Sequence, residues 1–288
     1  MMKTLSMLMV LVLGNFAFGA EPTVDGDEAV SQRVKEALPT LDSVTEAAMG
    51  QVTCLEVAGR PGFLIQPKGD PLSKPMPWVW YAPTLHGQPR PAHVWMFRQF
   101  LANGIAIAGL DVGESMGNPQ GRSAYAAFHK RLTDEFGLAR RASLMPQSRG
   151  GLMLYNWAAE HPENVACIAG IYTVCDMNVW PGLTRASAAY GMNEQEFAAV
   201  LEKHNPIDRL APLAEANIPI LHIHGDSDEP VPVEQTTAKL VQRYRQLGGQ
   251  ANLIVVPGKG HEEATEIFQR QEVVDFVINH ASGRANPR

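Results

Sequence analysis

The segment Leu144-Met-Pro-Gln-Ser148-Arg-Gly-Gly-Leu-Met-Leu154 decides the fold. A short apolar run ends near a serine, two glycines follow closely, and an apolar pattern with helical spacing comes after them. On a tight turn from strand to helix, a serine hydroxyl is exposed above the sheet, and the next backbone N–H points towards the same space. The segment therefore predicts that Ser148 is a nucleophile, which needs a base, an acid and an oxyanion site from elsewhere in the chain.

Apolar runs of strand length alternate with amphipathic helical patterns through most of the chain. The pattern predicts a hairpin at 51–57 and 63–66, and buried strands at 78–82, 105–110, 141–145, 165–172, 218–225 and 251–256. This alternation is typical of βαβ units, so we expect an α/β fold with a mostly parallel sheet and helices on both faces. In such sheets, sites form at the carboxyl ends of the strands.

Composition and charge limit the class of protein. The chain has 288 residues, of which 45% are hydrophobic and 19% charged, as in an ordinary globular protein. The net charge of -6 and the lack of a Lys/Arg cluster predict no nucleic-acid partner. We find neither metal-ligand spacing nor a phosphate or dinucleotide loop, so we expect no metal and no cofactor.

The N-terminus has the pattern of a secretory signal peptide. Lys3 precedes an apolar segment at 5–18, and small residues follow at Gly19 and Ala20. The apolar segment is shorter than the roughly 20 residues of a membrane-spanning helix. We therefore predict a cleaved signal peptide at 1–20, a secreted or periplasmic protein, and no stable membrane insertion.

Two regions follow the predicted signal peptide. Residues 21–48 form a polar leader with at most one helical turn at 34–38, and 49–288 form the catalytic domain, with a lid at about 176–217. The chain has three cysteines. Cys167 and Cys175 are predicted on one strand and its exit loop, too far apart to bridge each other. A bridge from Cys54 to either one stays open.

Histidine and carboxylate candidates follow later strands. His261 lies in the glycine-rich loop Pro257-Gly-Lys-Gly-His261, from which a side chain can reach across a cleft. Asp226 and Asp228 compete as the acid that would orient the histidine, and Glu229 is a weaker third. Turn and helix-cap roles are the alternative for all three acids, and spacing alone does not separate them.

The oxyanion site needs two backbone N–H donors. The first is predicted at Arg149, the residue after the serine, and the second in the loop after an earlier strand. Within His86-Gly87-Gln88 we favour the Gln88 N–H, with Gly87 and His86 as alternatives.

The chain resembles the α/β-hydrolase superfamily, in the branch of secreted serine hydrolases near the prolyl-oligopeptidase catalytic domain and the dienelactone hydrolases. The resemblance covers about 50–282 and is carried by four motifs: His86-Gly87, Ser148-Arg-Gly-Gly151, Gly225-Asp-Ser-Asp228-Glu-Pro-Val-Pro232 and Gly260-His261. It implies the acid three residues after Gly225, which is Asp228. In one departure, Pro146 stands where the family usually has glycine, so we expect a variant turn.

Several side chains are candidates for substrate binding, namely His86, Glu114 and Trp180, with Tyr190 and Met192 as further pocket walls. For Trp180, Tyr190 and Met192 the alternative, which we favour slightly, is a place in the core. For Arg149 we favour a structural pairing, with Glu114 as one possible partner, over contact with an acidic substrate.

The resulting hypothesis is a serine hydrolase that cleaves a carboxylic ester of a small molecule, carbohydrate or aryl group. Ser148, His261 and Asp228 would form its catalytic triad. The alternatives are a peptidase of the prolyl-oligopeptidase type, an acyltransferase, and a non-catalytic binding protein on the same fold. A leader of about 30 residues is too short for the large N-terminal domain that commonly gates such peptidases, which favours the esterase.

Overall fold

The computed structural model describes residues 24–69 and 71–281. The predicted signal peptide at 1–20 lies outside these residues. No helix within the described ranges is both long enough and apolar enough to span a bilayer.

One eight-stranded sheet organises the described residues. Its strands are β1 (Gly50–Val57), β2 (Arg60–Pro67), β3 (Trp78–Ala82), β4 (Ala106–Leu110), β5 (Ala142–Pro146), β6 (Val165–Ile171), β7 (Ile220–Gly225) and β8 (Ala251–Val256). Their spatial order is β1-β2-β4-β3-β5-β6-β7-β8. The pairs β1–β2 and β2–β4 are antiparallel, and all other neighbours are parallel. The predicted hairpin and the mostly parallel sheet are confirmed.

The helices of the described residues connect these strands. They are α1 (Val24–Ala37), α2 (Leu41–Ala47), α3 (Val94–Ala102), α4 (Pro119–Glu135), α5 (Gly150–Glu160), α6 (Leu183–Ala189), α7 (Glu194–Ala198), α8 (Ala211–Glu215), α9 (Thr237–Gln246), α10 (Thr265–Phe268) and α11 (Gln271–Ala281). Helix α4 begins at Pro119, where the Asn118 side chain caps it by accepting from the Gly121 N–H at 2.8 Å.

Two apolar layers cover the sheet. Alternation along β3 sends Trp78 and Trp80 to one face and Val79 and Tyr81 to the other. Helices α4, α5, α8 and α9 pack on the first face, and α1, α2, α3, α10 and α11 on the second. Burial on both faces explains why the central strands are continuous apolar runs. A third, smaller cluster lies under the predicted lid segment and includes Phe197.

The described part of the predicted leader contains two helices, where only one helical turn was predicted at 34–38. Val34, Leu38, Leu41 and Val44 are buried in the second apolar layer. Val34 lies near the end of α1, Leu38 in the connection, and Leu41 and Val44, three residues apart, on one side of α2, so burial of these side chains stabilises helices that are otherwise polar. The described part of the leader therefore contributes to the core.

Substitution of a leader residue tests this packing. Leu41→Ala removes a fully buried side chain and should lower the free energy of unfolding by about 2–5 kcal/mol. Glu46→Ala, on the exposed side of α2, is the matched control and should have little effect. Urea denaturation measures both. Equal stability of the two variants would contradict the packing role.

Candidate active site

The nucleophile candidate lies on a sharp turn between β5 and α5. Strand β5 ends at Pro146, and α5 begins at Gly150, only four residues later. Ser148 has φ of 49°, in the left-handed region that non-glycine residues seldom adopt. The Gln147 N–H donates to the Ala82 carbonyl at 2.7 Å, and the Ser148 N–H donates to the Ile171 carbonyl at 3.0 Å. Bonds to both neighbouring strands therefore hold the turn in a strained conformation.

The two glycines after the serine relieve the crowding at this turn. A Cβ on Gly150 would lie 2.2 Å from the Ala82 carbonyl oxygen, and one on Gly151 would lie 2.1 Å from the Val174 carbonyl oxygen. Both positions therefore require glycine. Pro146 is the last residue of β5, where the extended conformation suits proline, and its carbonyl accepts from the Thr173 hydroxyl at 3.2 Å. The turn thus accommodates the unusual proline.

Ser148, His261 and Asp228 form a continuous hydrogen-bonded chain. Ser148 Oγ lies 2.7 Å from His261 Nε2, and His261 Nδ1 lies 2.7 Å from Asp228 Oδ2. Because the carboxylate can only accept, Nδ1 carries the proton of the neutral ring and Nε2 is free to accept from the serine hydroxyl. The three residues come from loops after β5, β7 and β8, at one edge of the sheet.

The structure separates the competing acids. Asp226 is exposed, and its Oδ1 accepts from the Gly258 N–H at 2.7 Å and from the Ser227 hydroxyl at 2.9 Å. It therefore ties the β7 loop to the β8 loop. Glu229 is also exposed, whereas Asp228 is buried and contacts His261. Only Asp228, of these three acids, is placed to orient the histidine.

Hydrogen bonds control the charge of Asp228. Burial by itself would raise the pKa of this carboxyl, but donors from His224, His261 and the Val231 backbone lower the pKa to about 2. The Asp228 side chain has no solvent exposure, yet these hydrogen bonds stabilise its carboxylate form.

Of the two predicted oxyanion donors, one has a free N–H group and the other does not. The Arg149 N–H, next to the nucleophile, makes no hydrogen bond within the described residues, so it is free to bind a ligand. The Gln88 N–H donates to the Leu85 carbonyl at 2.8 Å and closes a turn. The preference for Gln88 was therefore wrong, because its donor is already used. The amides of His86 and Gly87, the two alternatives, make no such bond in the part of the chain described.

A buried polar network under the turn was missed by the sequence analysis. The Gln147 side chain donates to the Tyr172 hydroxyl at 2.7 Å and accepts from His93 Nε2 at 2.7 Å. The Tyr81 hydroxyl lies 3.0 Å from Gln147 Oε1 and 2.6 Å from Gln88 Oε1. These contacts tie the residue before the nucleophile to the loop at 85–88.

Two groups in this network are adapted to their positions. Burial lowers the pKa of His93 to about 4, so the ring is neutral near pH 7 and can donate from Nε2 while Nδ1 accepts from the Arg90 N–H. The Tyr172 ring lies 4.4 Å from the His261 ring, centroid to centroid, and so supports the base. No local sequence pattern indicates these contacts, since the partners come from distant segments.

A cavity of about 680 Å³ opens over Ser148 and His261. His86 and Glu114 line it, as the substrate-binding prediction required, but Trp180 does not. Trp180 instead lies beside two guanidinium groups, 5.4 Å from Arg149 and 5.6 Å from Arg185. It therefore supports the Arg149 side chain from outside the pocket.

The Arg149 side chain forms an ion pair with Glu114 at the cavity. This contact agrees with the structural pairing that we favoured for Arg149. The other two predicted pocket walls, Tyr190 and Met192, pack against the cluster under the lid segment and do not line the cavity.

The described residues contain neither a disulfide bond nor a cluster of side chains that could bind a metal ion. Cys54, Cys167 and Cys175 are all unpaired thiols there, so the open possibility of a Cys54 bridge is not realised. No group of three His, Cys, Asp or Glu side chains within 24–69 and 71–281 could hold a metal ion.

The sheet order and the arrangement of Ser148, His261 and Asp228 define the α/β-hydrolase class. The prolyl oligopeptidase family model matches residues 124–284, more than half of the 288 residues. The chain belongs to the prolyl oligopeptidase family, a family of serine hydrolases. The predicted resemblance is confirmed. No curated protein matches the chain by sequence.

Solved structures share the fold at low sequence identity. Puromycin hydrolase is 16% identical with a TM-score of 0.62, covering 82% of this chain and 39% of its own. Est1E from Butyrivibrio proteoclasticus is 16% identical with a TM-score of 0.60, covering 81% and 98%. A bacterial membrane phospholipase A is 15% identical with a TM-score of 0.56, covering 90% and 93%. The chain thus spans about two fifths of the length of puromycin hydrolase.

Stability at low pH tests the environment of Asp228. Its depressed pKa contributes stability that is fully present above the usual value of 3.8 and is lost as pH falls through about 2. The shift corresponds to about 2 kcal/mol. Between about pH 4 and pH 3, the free energy of unfolding of Asp228→Asn should fall less steeply than that of the wild type.

Ser148→Ala is the control for this experiment, since it alters the same site without removing a titrating group, and it should keep the wild-type slope. Urea denaturation at several pH values gives the slopes. The same slope for Asp228→Asn and the wild type would contradict the low pKa.

Proposed function

We propose that the chain is a serine hydrolase that cleaves a carboxylic ester through an acyl-enzyme. The observation that carries the proposal is the unbroken chain from Ser148 Oγ to His261 and Asp228, with 2.7 Å at both contacts. These distances lie within the range in which a base can take a proton from a nucleophile.

The proposed reaction has two halves. Ser148 Oγ attacks the substrate carbonyl carbon as His261 Nε2 takes its proton, and Asp228 stabilises the imidazolium. The Arg149 N–H binds the oxyanion, and we assign the second donor to His86 or Gly87. His261 then returns the proton to the leaving alcohol. Water, activated by His261, finally releases the acid from Ser148.

We propose that the cleaved bond is an ester because of the solved structures that this chain covers along most of their length. The membrane phospholipase A, an ester hydrolase by its name, is covered over 93% of its chain. Puromycin hydrolase is covered over only 39%. His86 and Glu114 line the cavity and are proposed to bind the substrate, a small-molecule, carbohydrate or aryl ester.

A peptidase is the second candidate, because the matching family model is that of prolyl oligopeptidase. An acyltransferase would use the same acyl-enzyme with an alcohol in place of water. A binding protein on the same fold would keep the cavity without the reaction.

A substrate panel tests the proposal. Purified protein is incubated with acetyl, feruloyl, glucuronoyl and aryl esters and with proline-containing peptides, and the products are quantified by chromatography. We expect hydrolysis of at least one ester class, and a loss in Ser148→Ala on the order of a millionfold in kcat. Hydrolysis of peptides alone would favour the peptidase, and full activity of Ser148→Ala would contradict the assignment of the nucleophile.

We also propose that the protein is exported. The support is the charged residue Lys3 followed by the apolar segment at 5–18 and the small residues Gly19 and Ala20. When the chain is expressed in a bacterium with a periplasm, the intact mass of the protein should correspond to cleavage near Gly19 or Ala20. Full-length protein found only in the cytoplasm would contradict export.

A further inference from the structure

A second histidine contacts the acid of the site. His224, near the end of β7, has no solvent exposure, and its Nε2 lies 3.0 Å from Asp228 Oδ2 and 2.8 Å from the Val231 carbonyl oxygen. On the other side of the ring, Nδ1 lies 2.8 Å from the Thr237 hydroxyl at the start of α9. Every polar atom of this buried ring therefore has a partner.

The partners define which nitrogen carries the proton. The Val231 carbonyl and the Asp228 carboxylate can only accept, so Nε2 of His224 must be the donor. Nδ1 then accepts from the Thr237 hydroxyl. The Thr237 hydroxyl on α9 thus donates to the ring, and the ring donates in turn to the Asp228 carboxylate.

Two histidines consequently donate to the same oxygen. Asp228 Oδ2 accepts from His261 Nδ1 at 2.7 Å and from His224 Nε2 at 3.0 Å, while Oδ1 accepts from the Val231 N–H at 2.9 Å. The hydrogen bond from His224 fixes the rotation of the carboxylate. It also takes up part of the negative charge that Oδ2 would otherwise present to His261 alone.

We propose that His224 is a positioning residue of the reaction, which holds Asp228 Oδ2 in place and sets the strength of its pairing with His261. The effect of His224 on the reaction rests on the proposed function. Its effect on the Asp228–His261 pair does not, because that effect depends only on contacts within this chain. A histidine that served only to fill space in the core would not need to donate a hydrogen bond to Asp228.

Other titratable groups lie near this cluster, and none of them is substituted in the His224 variants. They are His222 on β7, Tyr172 beside His261, and the Arg90–Glu263 ion pair at the cavity. The group that α9 directs at the His224 ring is the Thr237 hydroxyl, which does not titrate near neutral pH. A change in the titration of His261 on replacement of His224 is therefore attributable to the lost hydrogen bond.

Two amide substitutions separate the contacts of His224. The side chain of His224→Asn can reach the position of Nδ1, and so can keep the contact with Thr237, but it is too short to reach Asp228. The side chain of His224→Gln can reach the position of Nε2 and restore the donor to Asp228. His222→Leu is the matched control, because His222 lies on the same strand, is equally buried and bonds to Tyr155 at 2.8 Å, away from Asp228.

The first measurement is an NMR titration of the His261 ring, which needs no catalytic activity. Loss of the His224 donor leaves more negative charge on Asp228 Oδ2, so the imidazolium of His261 gains stability. In His224→Asn the midpoint should rise by about one pH unit. It should return towards the wild-type value in His224→Gln and stay unchanged in His222→Leu.

The second measurement is hydrolysis of p-nitrophenyl acetate over a range of pH. In His224→Asn, kcat/KM should fall roughly tenfold at its optimum, and the acid limb should move to higher pH. If His224→Asn does not fold, as judged by circular dichroism, His224→Leu replaces it with the same expectation.

The outcomes distinguish the two proposals. An unchanged or lowered midpoint in His224→Asn, or the same rise in His222→Leu, would overturn the role of His224. If the midpoint rises in His224→Asn but the wild-type protein hydrolyses no substrate, the proposed function is contradicted and the pairing role of His224 is supported.

Discussion

The backbone at Ser148 passes from a buried strand to a buried helix within four residues, in a conformation that a non-glycine residue adopts only at a cost. The flanking amides bond to both neighbouring strands, and the two glycines that follow let α5 approach the Ala82 and Val174 carbonyls. This strain is tolerable because hydrogen bonds to β3 and β6 and the close packing of α5 hold the turn in place. It lifts the hydroxyl to the edge of the sheet and leaves the Arg149 amide without an internal partner.

The layered architecture supplies the other groups. Because β5, β7 and β8 run parallel, the loops after them meet at one edge, and residues far apart in the chain come within hydrogen-bond distance. Below this edge, Gln147, Tyr81 and His93 connect the turn to the segment before α3. Beside it, His224 connects Asp228 to α9. Buried polar groups on both faces thus hold the three reacting side chains.

Much of this arrangement could be predicted from sequence, because strand ends and glycine-rich loops leave clear local signals. Ser148 and His261 stand in such loops, and the motif from Gly225 to Pro232 separated Asp228 from Asp226. The leader helices also had a signal, since Val34, Leu38, Leu41 and Val44 recur at helical spacing, but the short apolar side was interpreted as a single turn.

The errors and omissions concern tertiary contacts. Gln88 was favoured as a donor because of its position after a strand, yet a turn with Leu85 uses its amide, and no local pattern reveals such a turn. Trp180 was assigned to the pocket as an aromatic residue of the lid segment, but its ring lies beside Arg149 and Arg185. Gln147 and His224 gave no signal, because their partners are known only once the sheet is assembled.

The location of a covalent adduct identifies the nucleophile directly. The folded protein is treated with a fluorophosphonate, digested with trypsin and analysed by fragment-ion mass spectrometry. The peptide at 142–149 contains two serines, and fragmentation distinguishes Ser148 from Ser143, which is fully buried. We expect one adduct, on Ser148. The absence of any adduct on the folded protein, or an adduct on a different serine, would contradict the role of Ser148 as the nucleophile.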